Sequence, residues 1–172
     1  MLKHKKNKHF VLSIYPTKNG YAFALMESAL SPHDWGTKAF KQDTTCAKAI
    51  ESIKELLVRY RPDVLVIGDI KDYGIKKTVR RKRIYTAITA IASTLSIEVA
   101  VIKRKGIKSA FAPFGATTKQ EIAKVIADKI EAFSFRMPKA REAWQAEDLR
   151  MALFDAASRA LTYYYTVEQE IV

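Results

Sequence analysis

The first forty residues alternate between short apolar runs and turn residues. The run 10–15 is rich in β-forming residues and is ended by Pro16, which predicts a buried strand. Asn19-Gly20 is a strong hairpin signal, so residues 21–26 are predicted to return antiparallel to the first strand. Residues 35–40 are predicted to form a third, shorter strand. Three strands joined by short turns make an antiparallel meander.

Beyond residue 45 the apolar spacing becomes helical. Apolar residues recur every three or four positions over 45–60, and Pro62 follows the predicted end of this helix. The continuous apolar run 64–67 predicts a strand buried on both faces, and residues 97–102 are predicted to form another central strand. Three further helices are predicted at roughly 84–95, 118–133 and 144–165.

The predicted order of elements is β-β-β-α-β-α-β-α-α. A meander followed by two right-handed crossover units predicts an α/β fold with one five-stranded mixed sheet and helices on both faces. The 172 residues are enough for a single domain spanning 1–172, with a basic N-terminal arm at about 1–9. The sequence contains neither an internal repeat nor a low-complexity segment.

The chain is strongly basic, with 30 Lys and Arg against 18 Asp and Glu and a formal net charge of +12. This excess predicts attraction to polyanions, with nucleic acid as the first candidate and an anionic membrane surface as the second. No apolar run is long enough to span a bilayer, and the N-terminus lacks the apolar core of a signal sequence. We therefore expect no membrane partner. The single cysteine, Cys46, suits a reducing cytoplasm, and we expect it to be buried.

Cations are concentrated in two segments next to predicted elements. Residues 76–83 hold six cations beside the predicted start of the second helix, where backbone N–H groups favour an anion. The second group follows the strand 97–102, at the sheet edge where ligands bind in such folds. We predict that both groups flank one nucleic-acid-binding groove, and the alternative for 76–83 is a flexible solvated loop. The predicted contacts are Lys76, Lys77, Arg80, Arg81, Lys82, Arg83, Lys103, Arg104, Lys105 and Lys108.

The last predicted helix carries two carboxylates on one stripe. Asp148 and Asp155 are seven residues apart, which is about two helical turns. An acid held at the margin of a core is a candidate metal ligand, and the alternative is a surface ion pair between Asp155 and Arg159. The helix taken alone favours the ion pair. Near its end, Tyr163–Tyr165 cannot all be buried, so one or two of them are candidates for a homodimer contact.

Four short motifs, in order along nearly the whole chain, resemble those of a known family. They are Val11-Leu-Ser-Ile-Tyr-Pro16 with Gly20-Tyr21, Arg61-Pro-Asp-Val-Leu-Val-Ile67, Phe114-Gly-Ala-Thr-Thr-Lys119 and Asp155-Ala-Ala157. In this order the motifs are similar to those of the RuvC-type Holliday-junction resolvases. The resemblance implies a ribonuclease H-like fold and four acidic side chains that together hold two Mg²⁺ ions, which stabilise the attacking and leaving oxygens of a phosphodiester.

The chain departs from this family at most of the acidic positions. Tyr15 stands at the place of the first-strand Asp, and Gly68 stands at the place of the Glu that ends the next central strand. Ser158 replaces the second Asp of the last helix. Of the four family acids, only Asp155 falls on its expected position.

Other acids are candidates to replace the missing ones. Asp69 reaches the site if a bulge turns it, but in a regular strand it points to the other face. By resemblance, Lys119 matches a lysine beside the scissile phosphate of resolvases, and the alternative is an ordinary surface lysine. Tyr15 is a poor metal ligand at neutral pH and a candidate hydrogen-bond partner for phosphate. The candidate catalytic residues are therefore Asp155, Asp148, Asp69 and Lys119, with the three aspartates as candidate Mg²⁺ ligands.

The sequence thus predicts a RuvC-like protein that binds branched or duplex DNA through backbone phosphates. Two alternatives stay open, a Mg²⁺-dependent structure-specific endonuclease of the resolvase type and a catalytically inactive nucleic-acid-binding module. A third is a basic subunit that binds an acidic protein. The predicted location is the cytoplasm.

Overall fold

The computed structural model describes residues 9–138 and 149–170, without the side chains of 75–77 and 168–170. The elements are β1 (Val11–Pro16), β2 (Gly20–Ser28), β3 (Ser31–Ala39), α1 (Ala47–Tyr60), β4 (Val64–Gly68), a 3-10 helix (Ile70–Asp72), α2 (Ile75–Thr94), β5 (Glu98–Ile102), α3 (Arg104–Phe111), a second 3-10 helix (Ala112–Phe114), α4 (Lys119–Lys129), α5 (Glu131–Ser134) and α6 (Leu149–Glu170).

The five strands form one mixed sheet in the order β3-β2-β1-β4-β5. β1 pairs antiparallel with β2 and parallel with β4, and β5 pairs parallel with β4. β2 and β3 are antiparallel. The predicted meander with two parallel strands is therefore confirmed. The prediction that residues 97–102 form a central strand was wrong, because β5 lies at the edge of the sheet and has no fully buried residue.

Helices cover both faces of the sheet. Because successive residues of a strand point to opposite faces, each central strand contributes to two cores. Leu12 and Ile14 of β1 pack in a core with residues of α1 and α2. Val11 and Tyr15 pack in a second core with residues of α3, α4, α5 and α6. The second core borders the candidate site, because Tyr15 belongs to this core and lies near the carboxyl end of β1.

The predicted hairpin between β1 and β2 is present. The amide of Thr17 donates to the carbonyl oxygen of Gly20 at 3.0 Å. A Cβ at Gly20 would lie 1.8 Å from the carbonyl oxygen of Lys38, so no other residue fits against β3 at this point. The predicted third strand is longer than expected, because β3 extends over nine residues along β2.

The region between β4 and α4 differs from the prediction in two ways. α2 begins at Ile75, so the basic residues 76–83 lie inside the helix and neither precede it nor form a flexible loop. Their continuous charge hides the helical period that becomes visible only from Ile84. The structure also contains α3, which was not predicted, because this short helix buries only Ile107 and Phe111.

The last two predicted helices also differ in extent. The helix predicted over 118–133 is divided, since Ile130 has an extended backbone (φ −124°, ψ 98°) between α4 and α5. α6 continues to Glu170, and its predicted start at residue 144 lies outside the described residues, as does Asp148.

Several predictions on single residues can be compared with the structure. Cys46 is buried, as expected. Tyr163 and Tyr164 are buried within the chain, while Tyr165 is only partly buried and packs against Phe111. The homodimer stays a prediction. Within residues 9–138 and 149–170, no helix combines the length and apolar character that a bilayer crossing requires.

Candidate functional site

A cavity of about 630 Å³ opens on the side of the sheet covered by α6, next to the end of β1. Its wall combines the turn after β1 with residues of α2, α3, α4 and α6. Among the residues that the structure describes, the acids that line it are Asp72 and Asp155. The cations that line it are Lys18, Arg80, Arg81, Arg104, Lys108, Lys119 and Arg159. The wall therefore carries an excess of positive charge and favours an anion.

Tyr15 occupies the floor of this cavity and is surrounded by cations. The ring centroid lies 5.3 Å from the guanidinium carbon of Arg81 and 5.2 Å from that of Arg159. The Nζ atom of Lys119 lies 6.0 Å from the same centroid. An Nη atom of Arg81 also donates to the Tyr15 hydroxyl at 3.2 Å. Burial, together with the negative charge of Asp155, raises the pKa of Tyr15, so the hydroxyl is neutral at physiological pH.

Gly68 ends β4 beside Tyr15, and the space next to it is filled. A Cβ at this position would lie 2.6 Å from the hydroxyl oxygen of Tyr73 and 3.1 Å from Nε of Arg159. The hydroxyl of Tyr85 would be 3.2 Å away. The place at which the resemblance implies a glutamate therefore holds two tyrosine hydroxyls and a guanidinium.

Arg159 crosses from α6 to this position and is only 4% exposed. Its Nη atoms donate to the backbone carbonyl oxygen of Asp155 at 3.0 Å and to the Tyr73 hydroxyl at 3.3 Å. Burial lowers the pKa of this guanidinium, but neighbouring tyrosines and Asp155 raise it by more, so it stays charged. The alternative of an Arg159–Asp155 surface ion pair was wrong, because the contact is buried and goes to the backbone.

Arg81 approaches the same floor from α2 and is 8% exposed. Its guanidinium carbon lies 3.9 Å from the ring centroid of Tyr73, which is a close cation–π contact. The Nε atoms of both Arg81 and Arg159 are buried and have no hydrogen-bond partner among the described residues. Two arginines, one from each side, thus share a layer of tyrosines at the centre of the site.

Asp155 and Lys119, two of the four candidate catalytic residues, are close together. The Nζ atom of Lys119 lies 3.5 Å from Oδ2 of Asp155, which is 8% exposed. Lys119 is the first residue of α4, which begins with a capping box between Thr118 and Glu121. The positive φ of Gly115 (73°) allows the turn that precedes this helix.

The other candidate metal ligands are not brought to this pair. Asp69 accepts a hydrogen bond from the Lys71 amide at 2.9 Å and begins a 3-10 helix, outside the cavity wall. β4 pairs in regular register with β5 through Gly68, so the bulge that Asp69 required is absent. Asp148 lies outside the described residues. Within residues 9–138 and 149–170, no group of three His, Cys, Asp or Glu side chains could hold a metal ion.

These observations allow a test of whether the described residues fit the metal pair that the resemblance implies. Two Mg²⁺ ions need several bridging carboxylates. The described floor offers the carboxylate of Asp155 beside two guanidiniums and an ammonium group. Positive side chains therefore stand where cations would have to bind, and the described residues do not fit a two-metal centre.

The predicted basic contacts fall into three groups. Arg80, Arg81, Arg104 and Lys108 line the cavity. Arg80 is also tied to the protein, since its Nε donates to the carbonyl oxygen of Thr17 at 2.8 Å. The others in the described set lie outside the cavity wall; they are Lys82, Arg83, Lys103 and Lys105, of which Arg83 donates to the carbonyl oxygen of Thr44. Lys76 and Lys77 lie in the first turn of α2, and their side chains are not described.

Sequence reasoning missed the roles of Tyr73, Tyr85 and Arg159 on the floor. One signal could have found Arg159. A glycine at position 68 leaves room for a long side chain from the facing helix, and Arg159 lies one turn after Asp155. Nothing in the local pattern around Tyr73 or Tyr85 distinguishes them from ordinary packing residues.

The fold is of the ribonuclease H-like α/β class and is similar to that of RuvC. The structure of Thermus thermophilus RuvC is 16% identical over 94% of this chain and 96% of that chain, with a TM-score of 0.68. The structure of T. thermophilus RuvC in complex with a Holliday junction substrate is 17% identical over 93% of this chain and 95% of that chain, with a TM-score of 0.68. The structure of the fowlpox virus Holliday junction resolvase is 12% identical over 91% of this chain and 99% of that chain, with a TM-score of 0.54. No family model matches the chain, and no curated protein does.

Proposed function

We propose that this protein binds branched or duplex DNA through backbone phosphates, as a RuvC-like module whose central cavity is a site for anions. The observation that carries the proposal is the excess of cations on the cavity wall, at the place where the resemblance implies a cluster of acids. Contacts to phosphates carry no direct information on base sequence, so we expect binding with little sequence preference.

Branched DNA is the preferred form within this proposal. The structurally similar RuvC is known in complex with a Holliday junction substrate, and the fowlpox resolvase with Holliday junction DNA. The cations on the wall come from elements far apart in the chain, namely the turn after β1 and the helices α2, α3, α4 and α6. Such an arrangement suits contact with phosphates that approach from several directions.

The salt dependence of binding tests the proposal. Each phosphate contact contributes about 0.9 to the negative slope of log affinity against log salt on duplex DNA. We expect Arg104→Ala with Lys108→Ala to reduce the slope by about two contacts' worth, equally for all base sequences. Lys54→Ala with Lys124→Ala removes the same charge from exposed positions outside the cavity wall and should change the slope less. Fluorescence anisotropy with a four-way junction and a matched duplex measures both, and absence of binding at low salt would refute the proposal.

A second candidate function is a Mg²⁺-dependent endonuclease, which the close pair of Asp155 and Lys119 favours. Junction cleavage with and without Mg²⁺ distinguishes the candidates. We expect no cleavage by the chain, and none by Tyr15→Asp, because a carboxylate at position 15 would pair with Arg81 and Arg159. Cleavage that is abolished by Asp155→Asn and unchanged by Asp128→Asn, an exposed position on α4, would establish the endonuclease instead.

A homodimer is part of the same proposal, because a two-fold partner would match the symmetry of a four-way junction. Light scattering of the free protein and of its junction complex gives the stoichiometry. One protomer per junction at saturation would contradict the dimer and leave DNA binding intact.

A further inference from the structure

We propose that Arg81 and Arg159 form a receptor for a single phosphate group on the floor of the cavity, and that this receptor needs no divalent cation. The inference rests on the proposed function and deepens it, since it names the chemical group that the centre of the site takes. It also follows from the failure of the described floor to fit a metal pair.

The first argument is that both guanidiniums are buried and that neither donates a hydrogen bond to a carboxylate, since Asp155 accepts from Arg159 through its backbone carbonyl. Neither arginine makes an ion pair with an acid in the described part of the chain. Their hydrogen bonds go to tyrosine hydroxyls and to one backbone carbonyl. Buried charges in proteins are normally paired, because removing an ion from water without compensation is strongly unfavourable. An anion bound between Arg81 and Arg159 would supply the missing compensation.

The second argument is that donor groups remain. A guanidinium has five N–H donors. Arg81 donates one described hydrogen bond, to Tyr15, and Arg159 donates two. Both residues line the cavity, and because their Nε atoms are buried, the Nη groups are the donors that a ligand would contact. The planar arrangement of these donors matches the oxygens of a phosphate, to which arginine binds through two hydrogen bonds at once.

The third argument is that the receptor is rigid before any ligand arrives. The guanidinium of Arg81 lies against the ring of Tyr73, and the hydroxyls of Tyr73 and Tyr85 are 3.3 Å apart. Arg159 donates to the same Tyr73 hydroxyl. Tyrosines therefore hold both guanidiniums in place, which lowers the entropy lost when a ligand binds.

Charge and size favour a phosphate over other anions. Lys119 lies beside Asp155 and offsets its charge, so the two guanidiniums dominate the floor. A cavity of about 630 Å³ falls within the usual range of small-ligand sites, about 300–1,000 Å³, and exceeds what a bare ion needs. The cavity has room for a phosphate group together with part of the sugar-phosphate backbone that carries it.

Thermal unfolding of the wild-type protein in inorganic phosphate, compared with chloride at equal ionic strength and in the presence of EDTA, tests the receptor. A ligand bound only by the folded state raises the melting temperature. With phosphate at roughly ten times its dissociation constant, we expect an increase of about 3 °C for a chain of this length. An increase that appears only when Mg²⁺ replaces EDTA, or no increase at all, would overturn the proposal.

Methionine substitutions locate the effect. We expect Arg81→Met and Arg159→Met each to abolish most of the phosphate-dependent increase. In chloride, the melting temperatures of these variants should fall below that of the wild type by at most a few degrees, because the substitution also removes an unpaired buried charge. Arg59→Met, an exposed position on α1, should keep the full increase. An unchanged increase in the two cavity variants would refute the assignment.

A measurement on the wild type covers the case in which a variant does not fold. Buried Arg side chains give Nε–H signals in ¹⁵N-correlated NMR spectra, and phosphate should shift those of Arg81 and Arg159 in a saturable manner. Failure of this shift refutes the receptor whatever the variants do. The junction titration is independent of both readouts, since rim cations alone can bind DNA. DNA binding without a phosphate effect would therefore remove the receptor and leave the proposed function.

Discussion

The two ends of the core between α6 and the sheet differ in what fills them. Towards the start of β1, the core holds Val11, Met26 and Leu161, each 0% exposed, and its buried Tyr164 hydroxyl donates to the carbonyl oxygen of Met26. Towards the end of β1, Tyr15 and Gly68 face buried guanidiniums with unsatisfied Nε atoms. One end follows the ordinary rules of a stable interior, while the other holds groups that a stable interior excludes. This contrast supports the proposal of an anion site at the second end.

The largest expected difference between these ends lies on α6 itself. Leu161→Ala should lower the free energy of unfolding by about 2–5 kcal/mol, because it leaves a cavity in the filled end. Arg159→Met, two residues earlier, should change it far less or in the opposite direction. Denaturant unfolding measures both values. If Arg159→Met lowers the free energy of unfolding as much as Leu161→Ala does, the arginine is a structural residue and the two ends of the core do not differ in this respect.

Gly68→Ala should give the next largest effect, a loss of about 1–3 kcal/mol from overpacking. The new Cβ would lie 2.6 Å from the Tyr73 hydroxyl oxygen, so the tyrosine that holds the two arginines in place must shift. We expect the same variant to weaken the phosphate-dependent rise in melting temperature. Gly36→Ala on β3 is the matched control, since its Cβ would meet Phe23 at 3.4 Å. Equal losses at the two positions would contradict the tight packing of the floor.

The smallest expected effect is a dependence of stability on alkaline pH. The pKa of Tyr15 is raised by burial, and that of Tyr85 is raised well above the usual value of 10.0 for the same reason. A raised pKa in the folded state gives stability that is full below pH 10 and is lost as pH rises through the folded value. Tyr15→Phe should therefore flatten the fall of melting temperature above pH 10. A fall as steep as that of the wild type would show that Tyr15 titrates normally.

Much of the fold could be predicted from the sequence because it depends on local patterns. Alternating and continuous apolar runs located the strands, Asn19-Gly20 located the hairpin, and the order of elements predicted one mixed sheet. The helix α3 and the early start of α2 escaped prediction, because charge obscures their short apolar faces. Asp155 and Lys119 were each assigned to the site through resemblance, and the structure brings the two side chains together.

The composition of the site was decided by the tertiary structure. Arg80, Arg81, Lys82 and Arg83 are equivalent in the sequence, but only their angular positions on α2 determine that Arg81 is buried while Lys82 is exposed. Asp69 follows β4 by one residue, and the chain turns there into a 3-10 helix that Asp69 caps, outside the cavity wall. The sequence by itself thus determined the elements, the charge and the missing acids. The packing of α2 and α6 against β1 and β4 decided that guanidiniums fill the place of those acids, because burial is set by contacts between segments distant in the chain.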